Sequence, residues 1–408
     1  MGKLRFAIRK FEPFERAMEK CWIAYQDLHP SDVAMEFVPL DLEELITAFF
    51  ENKGLNNGDW DIVHMNTDWI ARAHSIKGLA RLDPMLDQHP PEEVECGWPE
   101  SLQALQRFDG QVFGLPFHDG PECLVFRKDL FDDPQEQIHF HALYGKPLAV
   151  PKTWTDFLIV AAFFTRPEDN LYGMVFAGYP DGHNAVFDFC IQLWSRGGDL
   201  QHGEVPVKLD QPLAVDALDF YRSLFKKEGC GLHPESANYE SVQAGAAFAR
   251  GEVAMMVNWF GFASWAQIDS TSTVKGKVDI AAIPSAEGGM SSSLNVYWLY
   301  AIPEGSRHKQ LAYDFIRFAV GRQSDKNLTV EGGVGCRYST WYDPEINQMI
   351  PFYNKLAELH DTARTLPRLV NWPQIAHIID DTVIAAINSE ESSLSLLTKA
   401  QEKINAWI

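Results

Sequence analysis

The sequence has few cysteines, few basic residues and no long apolar run, and each shortage excludes a class of protein. The 6 cysteines among 408 residues form no CxxC pair, which excludes a zinc ribbon and a thioredoxin-like redox motif. Lys and Arg number 35 against 56 acidic residues, and a surface with a formal net charge of -21 repels the phosphates of nucleic acid. The longest apolar run, FLIVAAFF at 157–164, is far shorter than the roughly 20 residues that span a bilayer.

The amino terminus lacks the pattern of a secretory signal. MGKLRFAIRKF has no apolar core of about 7 to 15 residues after its positive charges. Two interpretations remain open from these residues: a cytoplasmic protein, or a chain from which a leader has been removed. The choice between these two interpretations depends on the class of protein that the rest of the sequence indicates.

Sequence motifs of several enzyme classes are also missing. The chain has no GxxxxGK[ST] phosphate loop, no HExxH and no GxSxG, and GGVGCR from Gly332 lacks the third glycine of the dinucleotide fingerprint. His139 and His141 have the spacing that puts two residues on one face of a strand, but no third ligand is near. We therefore expect an exposed loop pair there, and we predict no catalytic residues, no metal and no cofactor.

Apolar periodicity predicts an α/β protein of two lobes. Strands at KLRFAIR, MEFVPL and WDIVHM alternate with helices, and Asp41 and Glu44 are spaced as a capping box before the second helix. The pattern restarts at ECLVFR and is followed by DDPQEQIHFHALYGKPLAVPK, whose prolines indicate an inserted surface loop. The last third is predicted to be mainly helical. In sheets of this kind, ligands meet the loops at the carboxyl ends of strands.

Polar and aromatic residues are mixed at these strand ends, which is the chemistry that a sugar requires. Trp and Tyr rings stack on the C–H faces of a sugar, while Asp, Glu, Asn, Arg and His hydrogen-bond its hydroxyls. The candidate ligand-binding residues are Phe11, Glu12, Asn66, Asp68, Trp69, His118, Asp119, Tyr179, Asp181, His183, Asn258, Trp259, Phe260, Asn295, Tyr297 and Arg337.

Several candidates have a structural alternative. Trp69 can cover the edge of a sheet, His118 can cap a loop and Asp181 can close an Asx turn. Trp298 lies inside an apolar run, so we expect it in the core.

The stretch GEVAMMVNWFGFASWA, residues 251–266, contains a strand followed by several aromatic side chains. We expect the chain to bend with the help of Gly261, and we expect Trp259 or Phe260 to be a stacking platform. The later aromatics of the stretch have helical spacing and are expected in the core.

Segments in order over most of the chain resemble one protein family. They are the opening strand and loop, WDIVHMNTDWIARAHSIKGLARLDPML, GQVFGLPFHDGPECLVFRKDLF, KTWTDF, RGEVAMMVNWFGF and LYAIPEGSRHKQLAYDFIRFAV. Together they resemble the extracellular solute-binding proteins of bacterial ABC importers, the family-one group that includes maltose-binding proteins. Two features depart from that pattern: a longer insertion after Phe131, and Cys336 where proline is common.

The resemblance implies a type II-like periplasmic-binding-protein fold, with two hinged α/β lobes that close on a ligand in the cleft between them. The first lobe would be residues 1–116 plus 298–328, and the second 117–297 plus 329–408. The implied function is non-catalytic capture of a sugar, glycoside or polyol for delivery to an ABC permease. Such proteins are exported, so we expect a periplasmic or extracellular monomer whose leader has been removed.

Other interpretations stay open from the residues alone. A polyamine would suit carboxylates such as Asp68, Asp119 and Asp181, and ferric ion would need paired tyrosines such as Tyr297 and Tyr300. A glycoside hydrolase would need two carboxylates, although no acidic residue is visibly placed in an apolar setting that raises its pKa. A sensory subunit of a membrane kinase and the formation of disulfides are also left open.

Overall fold

The computed structural model describes residues 2–227 and 229–408, and these divide into two compact units. Unit 1 consists of the chain up to Gly120, Val296–Asn354 and Arg368–Val370. Unit 2 consists of Pro121–Asn295, Lys355–Pro367 and Asn371–Ile408. Each unit is therefore assembled from separate segments of the chain.

The helices and strands follow the chain through both units in turn. The first segment of unit 1 contains β1 (Lys3–Arg9), α1 (Glu12–Leu28), β2 (Ala34–Leu40), α2 (Leu42–Ile46), α3 (Gly54–Asn57), β3 (Ile62–Asn66), α4 (Ile70–Ser75), α5 (Asp83–Gln88), α6 (Glu100–Leu105), β4 (Arg107–Phe108), β5 (Gln111–Val112) and β6 (Leu115–His118). The first segment of unit 2 contains β7 (Glu122–Arg127), α7 (Lys128–Asp132), α8 (Pro134–Tyr144), α9 (Trp154–Phe164), β8 (Tyr172–Val175), α10 (Asn184–Trp194), α11 (Pro212–Lys226), α12 (Ser241–Ala249), β9 (Val253–Trp259), α13 (Phe260–Ile268), β10 (Val278–Ala281) and β11 (Ser293–Leu294).

The remaining elements complete each unit. In unit 1 they are β12 (Trp298–Ala301), α14 (Lys309–Ala319), α15 (Arg322–Val330), α16 (Tyr338–Trp341) and α17 (Pro344–Met349). In unit 2 they are α18 (Leu356–Thr362), β13 (Ala363–Arg364), α19 (Trp372–Asn388) and α20 (Ser393–Ile404).

Unit 1 is built around a five-stranded sheet in the order β2-β1-β3-β12-β6. β1 pairs in parallel with both β2 and β3, whereas β12 runs antiparallel between β3 and β6. The alternating sequence of β1 explains its place, because residues such as Phe6 and Ile8 are fully buried. The carboxyl ends of β1, β3 and β6 thus lie at one edge, beside the first residue of β12.

Unit 2 is built around a four-stranded sheet in the order β10-β7-β9-β8. β7 is antiparallel to β9 and β10, and β8 is parallel to β9. β11 and β13 form a separate parallel pair. The sheet places the first residue of β7 beside the last residue of β9, because Glu122 pairs with Trp259.

Local capping signals locate several helices. The predicted capping box is confirmed: Glu44 donates its N–H to Asp41 Oδ1 at 2.9 Å, and Asp41 N donates to Glu44 Oε2 at 2.8 Å. The α-helix nevertheless ends at Ile46 and continues as one π-helical segment, Thr47–Glu51. Thr153 caps α9 by accepting the N–H of Asp156 at 3.1 Å.

The predicted surface loop after Phe131 is wrong, because its central part is the helix α8. Asp133 Oδ1 accepts the N–H of Gln135 at 2.7 Å, and Pro134 occupies the first helical turn. Gly145, at φ 68°, terminates the helix. Proline is favoured at the start of a helix, so Pro134 signals a helix start rather than a loop. His139 and His141 are exposed on α8, where residues two apart do not face each other.

Residues 329–354 group with unit 1, whereas the sequence placed them in the second lobe. The buried Asp325 of α15 explains this grouping. Its carboxylate accepts hydrogen bonds from Cys336 N at 2.7 Å, Arg337 N at 3.2 Å and Thr340 Oγ1 at 2.6 Å. These bonds attach the segment that begins α16 to the helices of unit 1.

Candidate functional site

The strand ends of unit 1 bring together several of the predicted site residues. Trp298, the first residue of β12, pairs with Asn66 at the end of β3 and with His118 at the end of β6. Phe11 follows β1 and precedes α1. Directly paired residues in antiparallel strands project from the same face. We call Asn66, His118 and Trp298 the unit 1 strand-end cluster.

His118 is a neutral member of this cluster at neutral pH. Burial lowers the pKa of His118 to about 4, although the charge of Asp119 acts in the opposite direction. Its Nδ1 accepts the N–H of Val334 at 2.9 Å, and Asp119 N donates to the carbonyl of Val334 at 3.1 Å. The proton of the neutral ring is therefore on Nε2, which makes that edge of the ring a hydrogen-bond donor.

Asn66 ends β3 by turning the chain. Its Oδ1 accepts the N–H of Asp68 at 3.2 Å and begins the short 3-10 turn Thr67–Trp69. Trp69 is the last residue of this turn and is only 2% exposed, with its ring edge-on to Trp298 at a centroid distance of 5.6 Å. Trp69 therefore lies in the core of unit 1, while Trp298, which we expected in the core, is partly exposed.

The polar groups of three predicted site residues of unit 1 are bonded to other residues of the same unit. Arg337 is fully buried, donates to the carbonyls of Val320 at 2.9 Å and Glu92 at 2.6 Å, and lies over the ring of Trp98. Tyr297 donates its hydroxyl to the carbonyl of Leu102 at 2.5 Å. Glu12 is exposed and forms an ion pair with Arg16, one helical turn away, at 2.6 Å. Neither Arg337 nor Tyr297 presents its polar group to solvent.

Unit 2 contains a carboxyl group that the sequence did not single out. Glu122 is 4% exposed, and in the described part of the chain its Oε2 has no hydrogen-bond partner. Because Glu122 pairs with Trp259 across antiparallel strands, both side chains project from the same face of the sheet. The sequence contained one signal that could have identified Glu122: it is the acidic first residue of the otherwise apolar run ECLVF.

A second buried acid lies near Glu122. Asp188 of α10 is 6% exposed, and its Oδ2 accepts the hydroxyl of Tyr221 at 2.7 Å. Burial raises the pKa of Asp188 to about 8, against the lowering effect of that hydrogen bond. Burial, followed by the charge of Asp188, raises the pKa of Glu122 well above its usual range. The expectation that no acid lies in an apolar setting is therefore wrong.

The loop that carries the predicted residues Tyr179, Asp181 and His183 is closed by its own side chains. Asp181 Oδ1 accepts the N–H groups of His183 at 2.8 Å and Asn184 at 3.0 Å, which is the turn-closing alternative. Asp380 of α19 accepts the N–H of Gly182 at 2.9 Å. Burial raises the pKa of Asp380 to about 6, although the Gly182 hydrogen bond lowers it. Tyr179 is 45% exposed.

The end of β9 distinguishes the two aromatic candidates in this stretch. Phe260 is fully buried as the first residue of α13, whereas Trp259 is partly exposed, with its ring edge-on to Phe187 at 5.8 Å. Asn258 is buried and donates Nδ2 to the carbonyl of Ser241 at 3.0 Å. The bend is at Trp259, with φ −60° and ψ 140°, and Gly261 lies inside α13.

Asn295 is the last of the candidate polar site residues in unit 2. Its N–H donates to the carbonyl of Arg364 at 2.8 Å, and the residue is 2% exposed. Its Oδ1 has no hydrogen-bond partner among the described residues. We call Glu122, Asp188, Trp259 and Asn295 the unit 2 acceptor patch.

The described part of the chain contains no cluster of side chains suited to bind a metal ion. No group of three His, Cys, Asp or Glu residues there is arranged to hold a metal ion. Tyr297 and Tyr300 are both buried, and the Tyr300 hydroxyl lies 3.3 Å from Met18 Sδ.

The cysteines are free thiols. Among the described helices, none combines the length and apolar character required to cross a membrane.

Solved structures define the fold class. A maltose-bound MalE3 of T. maritima matches with a TM-score of 0.87 and 22% identity, covering 100% of both chains. A ribitol-bound ABC transporter solute-binding protein of Agrobacterium radiobacter matches with a TM-score of 0.85 and 23% identity, covering 100% of this chain and 99% of that one. The predicted fold class is confirmed: the chain has the α/β fold of the periplasmic solute-binding proteins.

The family follows from the sequence match. A family model described as bacterial extracellular solute-binding protein matches residues 36–326. The chain belongs to this family. A probable ABC transporter-binding protein of Deinococcus radiodurans is 23% identical over 84% of this chain and 78% of its own length. An arabinooligosaccharide-binding protein of Halalkalibacterium halodurans is 23% identical over 81% of this chain and 73% of its own length.

Proposed function

We propose that this protein is the solute-binding component of an ABC importer and that its solute is a carbohydrate or a polyol. Family membership supports the binding role. Relatives and structural neighbours named for arabinooligosaccharide, maltose, ribitol and D-mannitol support the class of solute. The observation that carries the proposal is the pairing of Glu122 with Trp259 on one face of the unit 2 sheet.

The two kinds of side chain match the two surfaces of a sugar. Trp259 is partly exposed and offers an aromatic face to C–H groups, while Glu122 and Asn295 offer oxygen acceptors to hydroxyls. In unit 1, the strand-end cluster has the partly exposed ring of Trp298 and the Nε2–H donor of His118. A sugar hydroxyl both donates and accepts hydrogen bonds, so its chemistry suits the acceptors of unit 2 and, considered separately, the donor of unit 1.

The proposed mechanism is capture without chemical change. The solute replaces water at buried polar groups, and the bound form is the one that a membrane permease recognises. A location outside the cytoplasmic membrane follows from the extracellular family, and a permease is the expected partner. Trp69, Arg337 and Phe260 are not included in the proposed binding surface, because their side chains are buried in the core of their units.

Glycoside hydrolysis is a second candidate, and one observation favours it. Glu122 and Asp188 are buried acids whose pKa values are raised, a property of general acids in glycosidases. The family and the neighbouring structures favour binding instead. Catalytic turnover of a glycoside would therefore distinguish a hydrolase from a binding protein.

Calorimetry with a panel of mono- and oligosaccharides and polyols, including maltose, arabinooligosaccharides, ribitol and D-mannitol, tests the proposal directly. We expect at least one member to bind with a one-to-one stoichiometry and to be recovered unchanged. Absence of binding across the panel would contradict the carbohydrate function. Release of chromophore from nitrophenyl glycosides, lost in Glu122→Gln, would establish the hydrolase instead.

A further inference from the structure

The unit 2 acceptor patch contains more hydrogen-bond acceptors than donors. Glu122 Oε2 and Asn295 Oδ1 are buried and have no hydrogen-bond partner among the described residues. Among the described residues, Asp188 has one hydrogen-bond donor, the hydroxyl of Tyr221. Buried acceptors without donors are costly in a folded protein. A group that brings several donors is therefore the favoured occupant.

The position of Asn295 supports a donor-rich occupant independently of the two acids. Ser293 donates its hydroxyl to the carbonyl of Glu122, which attaches β11 to the start of β7. The N–H of Asn295 continues the β11–β13 ladder by donating to Arg364. Because side chains alternate along a strand, Asn295 is expected on the same side as Ser293, whose hydroxyl contacts the backbone of Glu122. The buried Asn295 Oδ1 is therefore expected on the side of β11 that faces the start of β7.

Two basic residues of unit 2, Arg364 and Lys355, are paired with other acids. Arg364 pairs with Asp199 and lies over the ring of Trp194, and Lys355 pairs with Asp279 at 2.7 Å. In the described part of unit 2, no Lys or Arg forms an ion pair with Glu122 or Asp188. The protein thus supplies no cation to two neighbouring buried carboxyl groups, and the charges that affect both groups are those of acids.

We propose that the unit 2 acceptor patch binds an ammonium group, and that the preferred solute is an amino sugar or an amino polyol. This inference rests on the proposed carbohydrate function and specifies the class of carbohydrate. An ammonium has three N–H donors and no acceptor, so it matches Glu122, Asp188 and Asn295 together. A neutral hydroxyl has one donor and leaves two acceptors unmatched.

The charge of the ammonium adds to the donor count. In the solute-free protein, burial raises the pKa of both acids and so favours their protonated forms. A bound ammonium favours the ionised forms, so the acids release their protons and accept charge-assisted hydrogen bonds, which are about twice as strong as neutral ones. Trp259, on the same face as Glu122, offers an aromatic ring to the carbon skeleton or to the cation itself. The patch is therefore suited to a cationic polyhydroxylated solute.

Matched pairs of probes test the inference. The full chain is titrated calorimetrically at neutral pH with D-glucosamine against D-glucose, and with 1-amino-1-deoxy-D-sorbitol against D-sorbitol. We expect the amine to bind about tenfold or more tightly than its neutral partner in at least one pair. Binding of neutral sugars or polyols without this preference overturns the inference and leaves the proposed function standing. No binding by any sugar or polyol overturns both.

Substitutions that remove charge but keep shape locate the preference. Glu122→Gln and, separately, Asp188→Asn are expected to reduce the amine-to-neutral affinity ratio to about twofold or less. Glu287→Gln, at an exposed position of unit 2, is the matched control and is expected to keep the wild-type ratio. If the ratio survives in both patch variants, the assignment to this patch is overturned. Testing two variants covers the case in which one of them does not fold.

Discussion

Asp325 of unit 1 and Asp188 of unit 2 are both buried, yet their surroundings differ. Asp325 accepts hydrogen bonds from two backbone N–H groups and from the Thr340 hydroxyl. Asp188 accepts one, from Tyr221, and lies beside a second acid, Glu122. The pKa of both aspartates is raised by burial, and at Asp325 the donors and the Arg337 charge oppose that effect.

The difference separates a structural carboxylate from one available for binding. Donors from the chain itself match Asp325, whose function is to attach residues 336–340 to unit 1. Among the described residues, Glu122 Oε2 has no donor and Asp188 accepts a hydrogen bond from Tyr221, so a bound solute is the expected source of further donors. The proportion of donors to acceptors is thus more informative about function than burial or charge alone.

The largest expected effect concerns the structural acid. Asp325→Ala should lower the free energy of unfolding by about 3–5 kcal/mol, because three buried donors lose their acceptor. Urea unfolding monitored by Trp fluorescence measures this. Asp87→Ala, at an exposed position of α5, should stay within about 0.5 kcal/mol of wild type. A small loss for Asp325→Ala would remove the contrast between the two aspartates.

The pH dependence of stability sharpens the same contrast. Burial raises the pKa of Asp188 from the ordinary aspartate value of 3.8 to about 8, so the folded state retains a proton that the unfolded state loses. The solute-free protein should therefore lose stability as pH rises from about 4 to about 8, by about 2–4 kcal/mol from this group. Asp188→Asn should flatten that slope. An unchanged slope would show that Asp188 is ionised in the folded protein.

Trp259 tests whether the acceptor patch is a binding surface. Trp259→Ala should weaken binding of the best panel solute by about 2 kcal/mol, or about 30-fold in Kd, with little change in stability. Trp265→Ala, within α13, is the matched control and should reduce stability more than affinity. Full affinity in Trp259→Ala would remove this ring from the proposed surface.

The smallest expected effect belongs to the 179–184 loop. Asp181→Ala should cost about 1 kcal/mol of stability, because the His183 and Asn184 N–H groups lose their acceptor. Affinity should change less than in Glu122→Gln. Calorimetry on both variants gives the comparison, and a larger affinity loss for Asp181→Ala would transfer the binding role to this loop.

Local signals and the family pattern predicted much of the fold. The strand at β1, the capping box at Asp41 and the strand leading to Trp259 all depend on neighbouring residues, so the sequence was sufficient. Glu122 was missed because its importance depends on partners distant in sequence: Trp259, Asp188 and Asn295. Residue type alone likewise did not show that the guanidinium of Arg337 is used inside unit 1.

The discontinuous units have a consequence for the order in which the protein folds. Unit 1 requires Val296–Asn354, which supplies the strand β12 between β3 and β6, and unit 2 requires the chain from Asn371 to Ile408. During synthesis neither unit is complete until its late segments have emerged from the ribosome. Contacts between such distant segments slow folding, so we expect each unit to reach its native state only after its late segments have been synthesised.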